Sequence, residues 1–315
     1  MKKSLIALAV LGLSSAAMAQ SSVTLYGVAD AGLGKVKSLA NGPNDANNKT
    51  QFISGSLMNN LDSRVGVRGT EDLGGGLKAG FNFETGLDLD NGGTTTDAFW
   101  ARQASMWVSG VWGTVKLGRQ YTPSFLVTAT YELTDLANYS VLANTYNVAG
   151  IGFRANSAFA YVTPSFNGLT AALAYVSKHD EGLSVVDVGA MYAAGPIAAG
   201  FSFNKSTNGK TSYQLGGKYD FGNFAVAASY TQASPLGSKK VRRGFGLGGS
   251  AKFGAFTATL DLTSDTKNEW DSKKRKRTNG VAELKYALSK RTFVYGAYLR
   301  LDKTNNYSIG VDHSF

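Results

Sequence analysis

Charged side chains are where chemistry could begin in this chain, because little else is on offer. There is no cysteine, and the two histidines, His179 and His313, each stand beside an aspartate. Covalent or acid–base catalysis needs a nucleophile, a base and an orienting group in one place. No P-loop, GxSxG elbow or metal-ligand spacing accompanies either histidine. What remains is guanidinium and carboxylate. Arg64, Arg68, Arg102 and Arg154 are cations within strand-like runs, while Glu132 and Asp135 fall in a long connection. Guanidinium keeps its charge at any working pH, so such a set exerts a standing field on nearby ions. Two dense basic runs add to it. "SKKVRRG" carries Lys239, Lys240, Arg242 and Arg243, and "DSKKRKR" carries Lys273, Lys274, Arg275, Lys276 and Arg277, within a net charge of +10.

The elements that hold these residues are strands. The first twenty residues, "MKKSLIALAVLGLSSAAMAQ", read as an export signal: two lysines, a short apolar run, then Ala17-Met18-Ala19. The run is too short to span about 30 Å of hydrocarbon. Residues 1–19 are therefore expected to be cleaved, leaving 20–315 as a single domain. A secreted chain makes a nucleic-acid role for the basic runs improbable. Glycine is high at 38 residues and proline low at 5, which argues against disorder. Segments of about ten residues alternate in polarity over 23–34, 61–71, 77–89, 98–110, 114–121, 153–164, 169–178, 184–194, 197–206, 211–220, 224–233, 242–253, 256–266, 276–288, 291–303 and 306–315.

Connections between these segments alternate in length. "DLGGG", "VWG", "SFNG", "GP", "FGN", "GA" and "SK" are tight hairpin turns, and the intervening connections are long. That is the pattern of an up-and-down antiparallel barrel, and an even strand count with unequal ends is its outer-membrane form. In 256–262, Phe256, Ala258, Leu260 and Leu262 oppose Thr257, Thr259 and Asp261. In 291–303 the apolar set is Phe293, Tyr295, Ala297, Leu299 and Leu301, which the same logic turns toward lipid. A soluble β-sandwich shares the alternation. Charges at strand centres on one face, and aromatics near strand ends (Tyr26, Trp100, Trp112, Tyr161, Tyr219, Phe224, Tyr286), favour the barrel. Closure leaves no edge and needs no disulfide. Sixteen strands enclose more space than their side chains fill, so a water-filled channel is implied.

"SSVTLYGVADAGL" at 21–33, "SRVGVRGTEDLGGGLKAGFNFETG" at 63–86, "GTVKLGRQ" at 113–120 and the closing Phe315 resemble the general porins of Gram-negative bacteria, the betaproteobacterial type above all. The likeness covers the chain after its signal. It implies a homotrimer of sixteen-stranded barrels for passive diffusion of small hydrophilic solutes and ions, without a cofactor. It also implies a constriction loop folded into each lumen and a terminal Phe315 read by the outer-membrane assembly machinery.

On that reading 121–153 is the constriction loop. Its Glu132 and Asp135 would face a basic wall, and the spacing of Leu133, Leu136 and Tyr139–Ser140 suggests one short helix. Parity places Arg64 and Arg68 on the lumen face, and Arg154 opposite Phe159 and Tyr161. The resemblance matches Arg64, Arg102 and Arg154 to the family's basic cluster and gives Arg119, in "LGRQ", a supporting place at the loop base. The two basic runs fall on the long-loop side, where they would line an outer vestibule or meet lipopolysaccharide phosphates. An anion preference follows. The alternative of a substrate-specific channel would show an aromatic ladder along the lumen face, which the sequence lacks.

Overall fold

The computed structural model describes residues 21–37, 49–177 and 182–315; positions 1–19 and His179 lie outside the described residues. Among the described residues seventeen strands form one sheet that closes on itself. They are β1 (Ser22–Lys35), β2 (Gln51–Ile53), β3 (Arg64–Gly74), β4 (Leu77–Gly86), β5 (Gln103–Gly110), β6 (Gly113–Tyr121), β7 (Arg154–Val162), β8 (Leu169–Val176), β9 (Val185–Ala194), β10 (Ile197–Ser206), β11 (Ser212–Asp220), β12 (Phe224–Ala233), β13 (Arg242–Phe253), β14 (Phe256–Asn268), β15 (Thr278–Ala287), β16 (Thr292–Leu301) and β17 (Thr304–Ser314). Sixteen of them match the expected segments one for one. β2 is a three-residue addition paired to Gly32–Gly34 of β1. Closure is antiparallel: Val28–Lys35 pair with β17, and Ser22–Val28 pair with β3.

The two faces differ as a membrane barrel requires. Leu25, Leu247 and Ile309 are each 64% exposed on the outside, while Asp187, Gln214, Asp261 and Asn306 are buried inside. Aromatics gather at the short-turn end: the rings of Tyr219, Phe221 and Phe224 contact one another in sequence, as do those of Phe253, Phe256 and Tyr286. One aromatic expected near a strand end at the interface lies elsewhere: Tyr26 points inward and donates to Glu84 and Asn82. Trp100 sits at the other end of the barrel, exposed in the 87–102 connection against Phe99 and Phe83. Phe315 is tied to Gly27 by reciprocal backbone bonds of 3.1 Å. Its ring occupies the space where a side chain at position 27 would stand.

β16 reverses the expected orientation. Tyr295, Ala297 and Leu299 are buried inside the barrel, and Tyr298 faces out. Two inward-folded segments cover this stretch of wall and bury Met58, Tyr139 and Val141 against it. Where the lumen wall carries protein instead of water, apolar side chains belong inside.

One of those segments runs from Ser54 to Ser63. Asp30 of β1 holds it, accepting from Asn59 Nδ2 (2.9 Å) and the Leu61 amide (2.7 Å). The other is the long connection after β6, with helices α1 (Pro123–Tyr131) and α2 (Val141–Tyr146). Thr122 caps α1 by accepting from the Phe125 amide, and Pro123 sits in the first turn, where its missing N–H costs nothing. Val127 and Tyr131 of α1 dock on Gly189, Gly200 and Gly216, where any side chain on the wall would collide with them. The single helix expected around Leu133–Ser140 is absent. That stretch is the turn between α1 and α2, with Asp135 and Leu136 at positive φ and Ser140 as the cap of α2.

Candidate functional site

Three alternate strands start at the same level of the barrel, each with an arginine. Arg64 opens β3, Arg102 immediately precedes β5, and Arg154 opens β7. The intervening β4 supplies Glu84, a residue outside the expected site set. Arg102 Nε lies 2.7 Å from Glu84 Oε1, Arg64 Nε 3.8 Å from Oε2, and Arg154 Nη2 3.9 Å from Oε1. Asp62 completes the cluster by pairing with Arg102. The carboxylate of Glu84 is only 3% exposed, whereas Arg64 and Arg154 keep 19% and 15% of their side chains open. The Glu84 charge is therefore set into the wall behind the cations, while Asp62, 33% exposed, and Asp135 open onto the same cavity as the arginines.

The inward loop stands across from them. Asn138 Nδ2 donates to Asp62 (2.7 Å) and to the Ser56 carbonyl, which fastens the loop turn to the wall beside the arginines. Between the two sides lies a cavity of about 310 Å³ whose lining includes Arg64, Arg102, Arg154 and Asp135. The structure thus brings these four expected residues together. It separates Glu132 from them: that side chain is buried and its oxygens accept from the Thr134 and Leu136 amides and the Thr134 hydroxyl. Glu132 shapes the turn instead of facing the arginines. Of the acids that pair with them, Glu84 comes from the barrel wall and Asp62 from the inward-folded segment 54–63. The readable signal was Glu84's parity, shared with lumen-facing Asn82 on β4.

Wall residues fix the loop. Asp187 of β9 accepts from the Ser124 amide (2.9 Å) and hydroxyl (2.6 Å) at the start of α1. Gln214 of β11 donates to the Ser124 carbonyl (2.6 Å), and Asn204 of β10 reaches the Ser124 hydroxyl and the Ala149 carbonyl. At the far end Tyr139 donates to Glu283 (2.6 Å). Burial and the Glu283 carboxylate push the Tyr139 hydroxyl well above its ordinary range, so it stays a donor.

Arg68 lies two repeats of the pleat further along β3, its guanidinium 5.1 Å over the Tyr26 ring and outside the cavity lining. Arg119 sits where the β6–β7 register shifts, donating to the Ala101 carbonyl and to Asn156, consistent with a place at the loop base. The basic runs divide. Lys239, Lys240, Lys273, Lys274, Arg275 and Lys276 are exposed on the long-loop side, and Arg243 is half-buried. Arg242 is a correction to the vestibule set: it is buried and paired with Asp265 (3.0 Å) and Asp302 (2.8 Å). Arg277 joins that network through Asp302 and Asp271, and Arg275 also pairs with Asp271. These partners hold the Asp271 carboxyl far below its usual range, and Lys267 lowers its neighbour Glu269 to about 2.

A closed sixteen-strand wall, a loop folded into its lumen and an arginine cluster at the narrowing have relatives. The model of the Gram-negative porin family matches residues 4–306. The chain belongs to that family. This porin is 33% identical to the outer membrane porin protein 32 of Delftia acidovorans, over 99% of this chain and 92% of that one. Its fold is similar to that of an anion-selective porin from Comamonas acidovorans, with a TM-score of 0.74, 25% identity and coverage of 94% of this chain and 100% of that one. The trimer form of OmpT from Vibrio cholerae shares the fold at a TM-score of 0.69 and 14% identity, over 94% of this chain and 99% of that one. The protein is an outer-membrane channel of the general diffusion type, and its strands cross the bilayer with the apolar face outward.

Proposed function

We propose that this porin passes small hydrophilic solutes with a preference for anions, and that Arg64 and Arg154 set the preference. The observation that carries this is the arrangement of charge: both guanidiniums open onto the lumen while Glu84 is set behind them and the more exposed Asp62 is taken up by Arg102 and Asn138. Fixed charge of one sign in a narrow channel with low-dielectric walls concentrates counter-ions. The exposed lysines of the vestibule add to this at low salt and are screened beyond about 8–10 Å near physiological ionic strength. The description of the Comamonas relative as anion-selective supports the reading.

The working unit in this proposal is a homotrimer, supported by the trimer form of the Vibrio structure. Residues 1–19 are its cleaved export signal and 20–315 its mature barrel. Phe315 serves as the assembly signal, and the vestibule lysines also contact lipopolysaccharide phosphates. Proteoliposomes test the transport claim. Swelling in isotonic small aliphatic anionic solutes should outpace swelling in cationic ones of equal size, without saturation. Saturable uptake of a single solute would replace the general-diffusion reading with a specific channel, and equal rates would remove the anion preference. Native mass in mild detergent reports the trimer.

A further inference from the structure

The constriction is not polar throughout. Beside the arginines its cavity is lined by three half-buried rings, Tyr121, Phe125 and Phe153. Tyr121 and Phe125 stack with centroids 4.4 Å apart and planes within 12°, and Phe153 stands 5.5 Å from Phe125. Arg154 joins the two surfaces, its guanidinium 4.6 Å over the Tyr121 ring and donating to the Tyr121 hydroxyl at 3.0 Å. A guanidinium has five N–H donors. Arg64 gives one to the Asp62 carbonyl and Arg154 one to Tyr121; with Arg154 Nε buried and Arg64 Nε turned toward Glu84, the remaining Nη donors are the ones an anion can use.

An inorganic anion can use only the arginines. A carboxylate attached to a ring can use both surfaces at once, the oxygens forked on a guanidinium and the ring against Phe125 and Phe153. A volume of about 310 Å³ suits one such molecule, since ligand pockets start at about 300 Å³. We propose that the constriction is a retention site for small aromatic monocarboxylates, which lodge there on their way through. This rests on the reading of the pore as an anion path and narrows it to a chemical class.

The test is single-channel chloride current in KCl, with benzoate or acetate added at equal concentration and neutral pH. Aromatic contact is worth a factor of about two to ten in affinity, so benzoate should half-block at a concentration lower by about that factor. Phe125→Ser and Phe153→Ser should bring the benzoate-to-acetate ratio to one, and Arg154→Gln should weaken both blockers. Cyclohexanecarboxylate in the wild type separates ring stacking from apolar contact and needs no variant; it should fall between the other two. Equal half-block by benzoate and acetate in the wild type overturns the proposal, as does a ratio unmoved by both phenylalanine substitutions. The reversal potential in a KCl gradient, taken before any carboxylate is added, reports separately whether the anion reading stands.

Discussion

Glu84→Gln keeps the shape of the side chain and removes one charge from the centre of the cluster. Arg64 and Arg154 lie 3.8 and 3.9 Å from that carboxylate. At about 4 Å, one charge pair is worth about 1 kcal/mol in bulk water and about 4 kcal/mol at an effective dielectric of 20. The bulk value is the conservative choice for an ion in a water-filled lumen. An ion in the lumen passes beyond the arginines, about twice as far from Glu84, where the bulk value halves to about 0.5 kcal/mol; losing the negative charge favours an anion and disfavours a cation by that much each, about five-fold in the anion-to-cation permeability ratio. Arg102 loses its 2.7 Å partner as well. Removing one member of a buried pair costs about 3–5 kcal/mol, and the remaining pair with Asp62 places this case at the lower end. Reversal potentials in a KCl gradient across a planar bilayer should move further toward the chloride limit, and open-channel noise should rise as the arginines spread. A variant with unchanged selectivity and unchanged noise would refute the claim that Glu84 sets the field and position of this cluster.

Three further outcomes follow from the same contacts. Asp187→Ala strips the Ser124 amide and hydroxyl of their acceptor, an N-cap-like loss of about 0.5–2 kcal/mol, and should give more frequent closures under voltage without changing ion preference. Leu299→Ala empties a fully buried site against Met58 and Val141 and should lower unfolding stability by about 2–5 kcal/mol, read by denaturant titration in detergent. Glu269 and Asp271 have depressed folded-state pKa values, so their contribution is complete above the ordinary carboxylate range and is lost only as pH falls toward about 2 for Glu269 and lower for Asp271. Lowering the pH from 7 to 5 should therefore leave both ionised, and Glu269→Gln with Asp271→Asn should not alter any conductance change seen in that window.

The strands were readable because each one alternates between two solvents, and the tight Gly- and Pro-containing turns mark where it reverses. β16 shows where that logic stops. Parity identified its two faces correctly but turned Tyr295, Ala297 and Leu299 toward lipid, because nothing local announces that 54–63 and the long loop cover the lumen wall there. The same long-range folding hid the site's acids. Glu132 and Asp135 stood out as loop carboxylates, yet Glu132 is consumed by its own turn, while Glu84 reaches the arginines only once β4 lies between β3 and β5. Arg242 resembles its exposed neighbours in sequence and differs only because Asp265 and Asp302 meet it from β14 and the β16–β17 turn.

The most direct measurement is the reversal potential of purified wild type beside the Arg64→Gln/Arg154→Gln double variant, in one KCl gradient at several ionic strengths. The wild type should lie on the chloride side. The variant should move toward potassium by about five-fold in permeability ratio per arginine, and the gap should persist at high salt, because the charges line the passage itself. A wild type on the potassium side, or a variant that coincides with it, would contradict the account.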